Sequence, residues 1–283
     1  MFCGRFFHLD DSNGAAVANR CLARCLARRG FGVEVLCGTI VDAGPGADLA
    51  EWFRSRGWAC DVGGGDAWIA GSRGGFPATP PRLRSVVEGV PITVPCHPLR
   101  LYDEPDATEV RDFLGLFDET FDRLRPSVVV SYGGDRLTRE ILARSRRRTA
   151  ATVFTLHNFQ YHTLSTFADV DAIVVPSRFA ADHYRDSIGL VCTVLPNIVD
   201  LERIRVERPA PRYVTFVNRS PEKGVFPFVG SPMNSVVVGS TSRSWSWRVA
   251  GPKGTSFLAG STSGLTAMSI SWARRPTPGD SGG

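Results

Sequence analysis

In Thr155-Leu156-His157-Asn158 a histidine follows directly on an apolar run and precedes the aromatic segment Phe159-Gln160-Tyr161-His162. A neutral imidazole placed at the carboxyl end of a strand can donate to or accept from a substrate hydroxyl. A satisfied structural histidine explains the same position. Asp10-Asp11-Ser12-Asn13-Gly14 lies between an apolar run and a helical pattern. There Gly14 would let the backbone approach a phosphate, which the free N–H groups of a helix start attract. A plain Ser/Asn helix cap uses the same residues. Gly133-Gly134, after Tyr132, has the same ambiguity.

Three further segments end in turns. Val175-Pro176-Ser177-Arg178-Phe179 and Leu195-Pro196-Asn197-Ile198-Val199-Asp200 each pass from an apolar run into a proline turn, and taken singly both are punctuation. Phe216-Val217-Asn218-Arg219-Ser220-Pro221-Glu222-Lys223-Gly224 ends a strand in a polar turn. Arg219 and Lys223 in it could neutralise a diphosphate, or simply be solvated.

These segments need elements to hold them. Short β-rich runs are expected at Arg5–Leu9, Val33–Leu36, Ile92–Val94, Ser127–Ser131, Thr152–Thr155, Ala172–Val175, Thr193–Leu195 and Tyr213–Val217. Val128-Val129-Val130 and Ile173-Val174-Val175 are continuous, which suits strands covered on both faces. Helical patterns alternate with them at Gly14–Arg29, Leu49–Arg56, Ala107–Leu124, Arg136–Arg144, Thr163–Ala168 and Arg178–Arg185. The alternation predicts an α/β domain with a Rossmann-like, doubly wound parallel sheet. Gly63–Pro81 reads as a long loop.

Composition narrows the function classes. The chain has 283 residues, 43% hydrophobic and 22% charged, with a net charge of +5. Residues 227–283 account for +4 of it, so residues 1–226 are nearly neutral and a nucleic-acid partner is not expected. No apolar stretch approaches the ~20 residues of a membrane span, and the N-terminus does not resemble a secretory signal. A cytoplasmic location is the expectation. Seven cysteines without CxxC spacing read as structural thiols, and five histidines without ligand spacing argue against metal. Arg20, Arg24 and Arg28 repeat along one helix face, which would be solvated or, as a peripheral contact, face anionic lipid. Beyond Phe226 the chain turns rich in Ser and Gly, with no Glu, His, Tyr or Cys. That tail reads as disordered low-complexity chain or as a frameshifted translation, and the abrupt change favours the second.

The order of the five segments carries more than any one of them. A glycine loop after strand one, a Thr-x-His strand end, a VPSxF turn, an LPNxxD turn and a PEKG turn together resemble the family-4 glycosyltransferases of the GT-B fold. The resemblance spans roughly residues 5–226. It implies an acceptor-side domain over 1–200, a stub of the donor domain over 201–226, and an unrelated tail over 227–283. It implies sugar transfer from a nucleotide-sugar to a hydroxyl acceptor (a glycan or a lipid-linked one), with retention and no separate cofactor. His157 would be catalytic, beside the transferred sugar. Gly14, Arg219 and Lys223 would hold the donor phosphates, and Asn13, Asn158 and Asn197 would contact substrate.

Two departures from that pattern stand in the sequence. Arg219 and Lys223 are four apart, whereas the family's arginine precedes its lysine by five. The family's donor domain carries a Glu-x7-Glu element, and no glutamate follows Glu222. The chain as it stands is therefore expected to be inactive. The alternative is a non-catalytic α/β module that binds an acceptor or glycan. A nicotinamide enzyme is disfavoured by the missing GxGxxG.

Overall fold

The computed structural model describes residues 1–42, 48–63, 81–97, 99–101, 106–208, 213–216 and 268–271. The chain falls into two units, Met1–Leu201 and Glu202–Gly283. In the first, β1 (Phe2–Phe6), α1 (Gly14–Arg28), β2 (Val35–Val41) and α2 (Leu49–Ser55) come first. A meander follows, of β3 (Cys60–Gly63), β4 (Arg82–Val87) and β5 (Val90–Pro95), with β6 (Arg100–Leu101) after it. Next come α3 (Ala107–Leu124), β7 (Val128–Ser131), α4 (Arg136–Arg147) and β8 (Ala151–Thr155). A 3₁₀ turn (Leu164–Phe167), β9 (Ala172–Val175), α5 (Arg178–Ile188) and β10 (Thr193–Val194) close the unit.

The strands lie in the order β10-β9-β8-β7-β1-β2-β5-β4-β3, and β6 pairs with the far end of β2. From β10 to β5 neighbours run parallel, as expected; β5, β4 and β3 are antiparallel. The meander strands β3 and β4 were not foreseen. β4 alternates, with Leu83, Ser85 and Val87 buried and Arg84 and Val86 exposed, the pattern of an antiparallel strand wet on one face. The chain leaves β1 toward β2 and later returns to β1's other side as β7, so the sheet's switch point falls between β1 and β7.

Both faces of the central strands are covered. Phe2, Val35 and Cys37 pack in one core with Phe7, Phe53 and Leu83. Met1, Cys3 and Leu36 pack in another with Phe113, Phe117, Phe121 and Ile141 of α3 and α4. A third core joins Phe154, Leu156, Val175 and Tyr184 around β8, β9 and α5. β1 occupies Phe2–Phe6 where Arg5–Leu9 is expected. The Met1 ammonium donates to Val128 O at 2.8 Å and Val130 N donates to Met1 O at 2.8 Å, so pairing reaches the first residue. Phe7–Leu9 then leave the sheet as a turn.

Side-chain caps fix several helix starts. Asp106 and Glu109 form a capping box on α3, and Ser177 accepts from Ala180 N at 3.2 Å to start α5. At Gly38 the backbone of β1 comes so near that a Cβ would lie 2.1 Å from Arg5 O. The irregular register of β1 and β2 between Gly4 and Phe6 lies at that point.

In the second unit β11 (Tyr213–Phe216) pairs antiparallel with β12 (Met268–Ser271), Tyr213 opposite Ser271 and Phe216 opposite Met268. β12 lies in the stretch read as tail and was not expected. Residues 64–80 of the expected loop, the turn with Arg219 and Lys223, and the rest of 227–283 lie outside the described residues. Among the described residues no helix is long and apolar enough to cross a membrane.

Candidate active site

The carboxyl ends of β1, β7, β8 and β9 each carry one of the sequence-predicted segments. α1 starts at Gly14 behind Asn13, whose Oδ1 accepts from Ala16 N at 2.8 Å. The Asn13 side chain is buried, and its proximity favours the ionised form of the Asp42 carboxyl. Gly14 itself is exposed, and a Cβ there would meet open space. The first turn of α1 is thus open at Gly14, though nothing in its packing requires a glycine.

Asp10 organises the loop that leads there. Its Oδ1 accepts from Ser12 N at 2.8 Å and from Ser12 Oγ at 2.5 Å, and its Oδ2 accepts from Asp42 N at 2.7 Å. Burial, aided by the Asp10 charge, raises the Asp42 carboxyl above the usual range, against the stabilising Asn13 contact. Across the switch point Tyr132 stacks on Phe6 with centroids 5.6 Å apart. Gly134 admits the Tyr161 ring, since a Cβ there would come within 2.8 Å of it.

Asn19 is the residue that joins these parts. Its Nδ2 donates to Ala15 O at 2.9 Å and lies 3.4 Å from His157 Nε2. Its Oδ1 accepts from Thr155 Oγ1 at 3.0 Å. The first turn of α1 is therefore one side chain away from His157. Burial holds the half-buried His157 imidazole below the ordinary histidine range, so the ring is neutral at pH 7. The Asn19 amide can donate to Nε2 only when that nitrogen carries the lone pair, which puts the ring proton on Nδ1.

Asn19, Thr155, His157, Pro176 and Asn197 line one crevice of about 20 Å³, room for a water and not for a sugar ring. So the LPNxxD turn and the VPSxF turn both line the crevice that holds His157. Asn158 sits outside the crevice and is exposed; its Oδ1 accepts from Gln160 N at 3.2 Å and its backbone carbonyl accepts from Tyr184 OH at 2.6 Å.

The family model described as Glycosyltransferase Family 4 matches residues 12–203. The chain belongs to glycosyltransferase family 4. No curated protein matches it. Membership implies a nucleotide-sugar donor and an acceptor as substrates, and the match spans all of the family-4 segments from Asn13 to Asp200.

Sequence reasoning missed Asn19 and Tyr184. Asn19 lies in the buried stripe of α1 between Ala16 and Ala23, and a lone amide in an apolar stripe was the available signal. The arginine stripe of the family-4 domain has a local use: Arg20 pairs with Asp11, while Arg24 pairs with Glu88 and Asp200.

Proposed function

We propose that Met1–Leu201 is the acceptor-side half of a retaining glycosyltransferase that moves a sugar from a nucleotide-sugar to a hydroxyl. The observation that carries this reading is the His157–Asn19–Ala15 connection, which ties a neutral imidazole to the first turn of α1. In the reaction the bond from the anomeric carbon to the diphosphate oxygen breaks. The acceptor oxygen bonds on the same face, and its proton passes to the departing phosphate. His157, with Nδ1 protonated, orients a hydroxyl of the transferred sugar, and the α1 N–H groups at Gly14 face the donor phosphates. Arg219 and Lys223, outside the described residues, are the cations assigned to the diphosphate as charge builds there. Asn158 and Asn197 flank His157 as substrate contacts.

The same reading makes this stretch of chain inactive by itself, because it holds no Glu-x7-Glu element for the donor. The test is transfer of radiolabelled sugar from nucleotide-sugars to glycoside acceptors by the purified 283-residue chain and its His157→Ala variant. Equal, background-level counts are expected. Transfer above the His157→Ala level would overturn the inactivity. Intact mass of the native product completes the test: a species near ~40 kDa, the size of two packed domains, that transfers sugar and loses activity in His157→Ala is the expected enzyme. A native product that binds glycosides and never transfers them would make the chain a binding module.

A further inference from the structure

Two rings at the rim of the sheet's carboxyl end stand out from the packing. Phe159 is 46% exposed and Phe179 is 71% exposed, with centroids 5.8 Å apart and planes nearly perpendicular. Phe159 follows His157 and Asn158 after β8; Phe179 lies in the first turn of α5, after β9. His183, one turn further along α5, meets the Phe159 ring edge-on at 4.9 Å.

The platform is rigid from below. Tyr184 is fully buried and nearly parallel to Phe159, with centroids 6.1 Å apart and planes at 14°. Its hydroxyl donates to Asn158 O at 2.6 Å, which fixes the peptide between His157 and Phe159. Phe159 thus packs against Tyr184, Phe179 and His183 and still leaves almost half of its surface to solvent. Exposing two phenylalanine rings forgoes the stabilisation their burial would bring, and holding them in fixed orientation lowers the ordering cost of whatever lands there.

The size and surroundings select the occupant. Protein-docking patches cover several hundred Å², whereas this one is two rings wide and bordered by the exposed polar residues Asn158 and Gln160. A pyranose matches both features: its axial C–H bonds point at the negative face of an aromatic ring, and its equatorial hydroxyls reach amides at the rim. Resting on the acceptor-side reading above, we infer that Phe159 and Phe179 form a stacking platform for a sugar ring of the acceptor, with Asn158 and Gln160 engaging its hydroxyls. The acceptor is accordingly a glycan or glycoside and not a bare lipid or peptide hydroxyl.

Saturation-transfer NMR on the full 283-residue chain tests this, with the methyl glycosides of glucose, galactose, mannose and N-acetylglucosamine as probes. Irradiating the protein aromatics should transfer saturation to protons on one face of at least one pyranose. Phe179→Ala, at a mostly exposed site, and Phe159→Leu, which keeps volume but removes the ring, should each weaken binding about three- to tenfold. Binding unchanged in both variants but lost in His157→Ala would overturn the platform and leave the acceptor-side reading standing. Absence of transfer to every glycoside would overturn the platform, and the acceptor-side reading would still stand or fall by the sugar-transfer assay. Ring-dependent binding to phosphatidylglycerol/phosphatidylcholine vesicles, with no glycoside signal, would overturn the platform in favour of a membrane contact.

Discussion

Arg24 of α1 holds Asp200 at 2.7 Å and Glu88 at 3.0 Å, with its own side chain only 7% exposed. One guanidinium thus ties the first helix to the tip of the β4–β5 hairpin and to the end of the LPNxxD turn. The arginine repeat in α1 could be read from sequence as a wet or lipid-facing stripe, yet this member of it faces inward. Replacing Arg24 by Met leaves two partly buried carboxylates without their shared cation. The expected cost is roughly 2–4 kcal/mol in urea unfolding. A loss within 0.5 kcal/mol, roughly the range of an ordinary surface substitution, would show that solvent already screens the pair.

Asn19→Leu should separate the roles of the α1 amide. Thr155 Oγ1 loses its Asn19 acceptor and His157 loses its Nε2 donor, for an expected loss of about 1–3 kcal/mol. The sharper readout is ¹⁵N NMR of the His157 ring. The wild-type chain should show the Nδ1–H form, and the variant should lose that preference. An unchanged tautomer would mean that something other than Asn19 sets it.

His8 predicts the pH dependence of stability. Burial, with a smaller push from the Arg20 charge, takes its pKa from 6.5 down to about 3. Its folded pKa is below its unfolded one, so the unfolded chain binds a proton the folded chain refuses. Stability is full above pH 7 and falls as pH drops below 6.5, by about 1.4 kcal/mol per unit. Burial of His157 adds the same sign. Urea midpoints at pH 7.5 and 5.5 should therefore differ, and the difference should shrink in His8→Asn. A difference untouched by that substitution would place the proton uptake elsewhere.

Gly38→Ala should be among the worst single methyl additions in the chain. The added carbon would sit 2.1 Å from Arg5 O, and backbone on the central strand pair has no side-chain freedom with which to yield. Overpacking of this kind costs about 1–3 kcal/mol and at times more. A thermal midpoint within a degree of wild type would show that β1 and β2 can part there.

The starts of α1 to α5 were legible to the residue, while α4 and α5 each run three residues past the expected end. Ala107–Leu124 is observed as expected, because its apolar spacing and its Asp106/Glu109 box are both local. The edge strand β3 and its neighbour β4 were not, since one wet face and a long intervening stretch blur a four- to six-residue pattern. At the site, the histidine and the turns around it were legible by their order, while Asn19 was not, because its partners Thr155 and His157 lie more than a hundred positions away.

By itself the sequence determined the alternation of strand and helix, the helix starts and the family, since hydrophobic period, capping residues and motif order are properties of adjacent residues. Only the tertiary structure decided which arginine turns inward, which amide reaches His157, and which of many aromatics stay exposed at the rim. Each of those depends on where the parallel sheet sets α1 against β8 and β9, and parallel neighbours are joined by crossovers too long for any local pattern to encode.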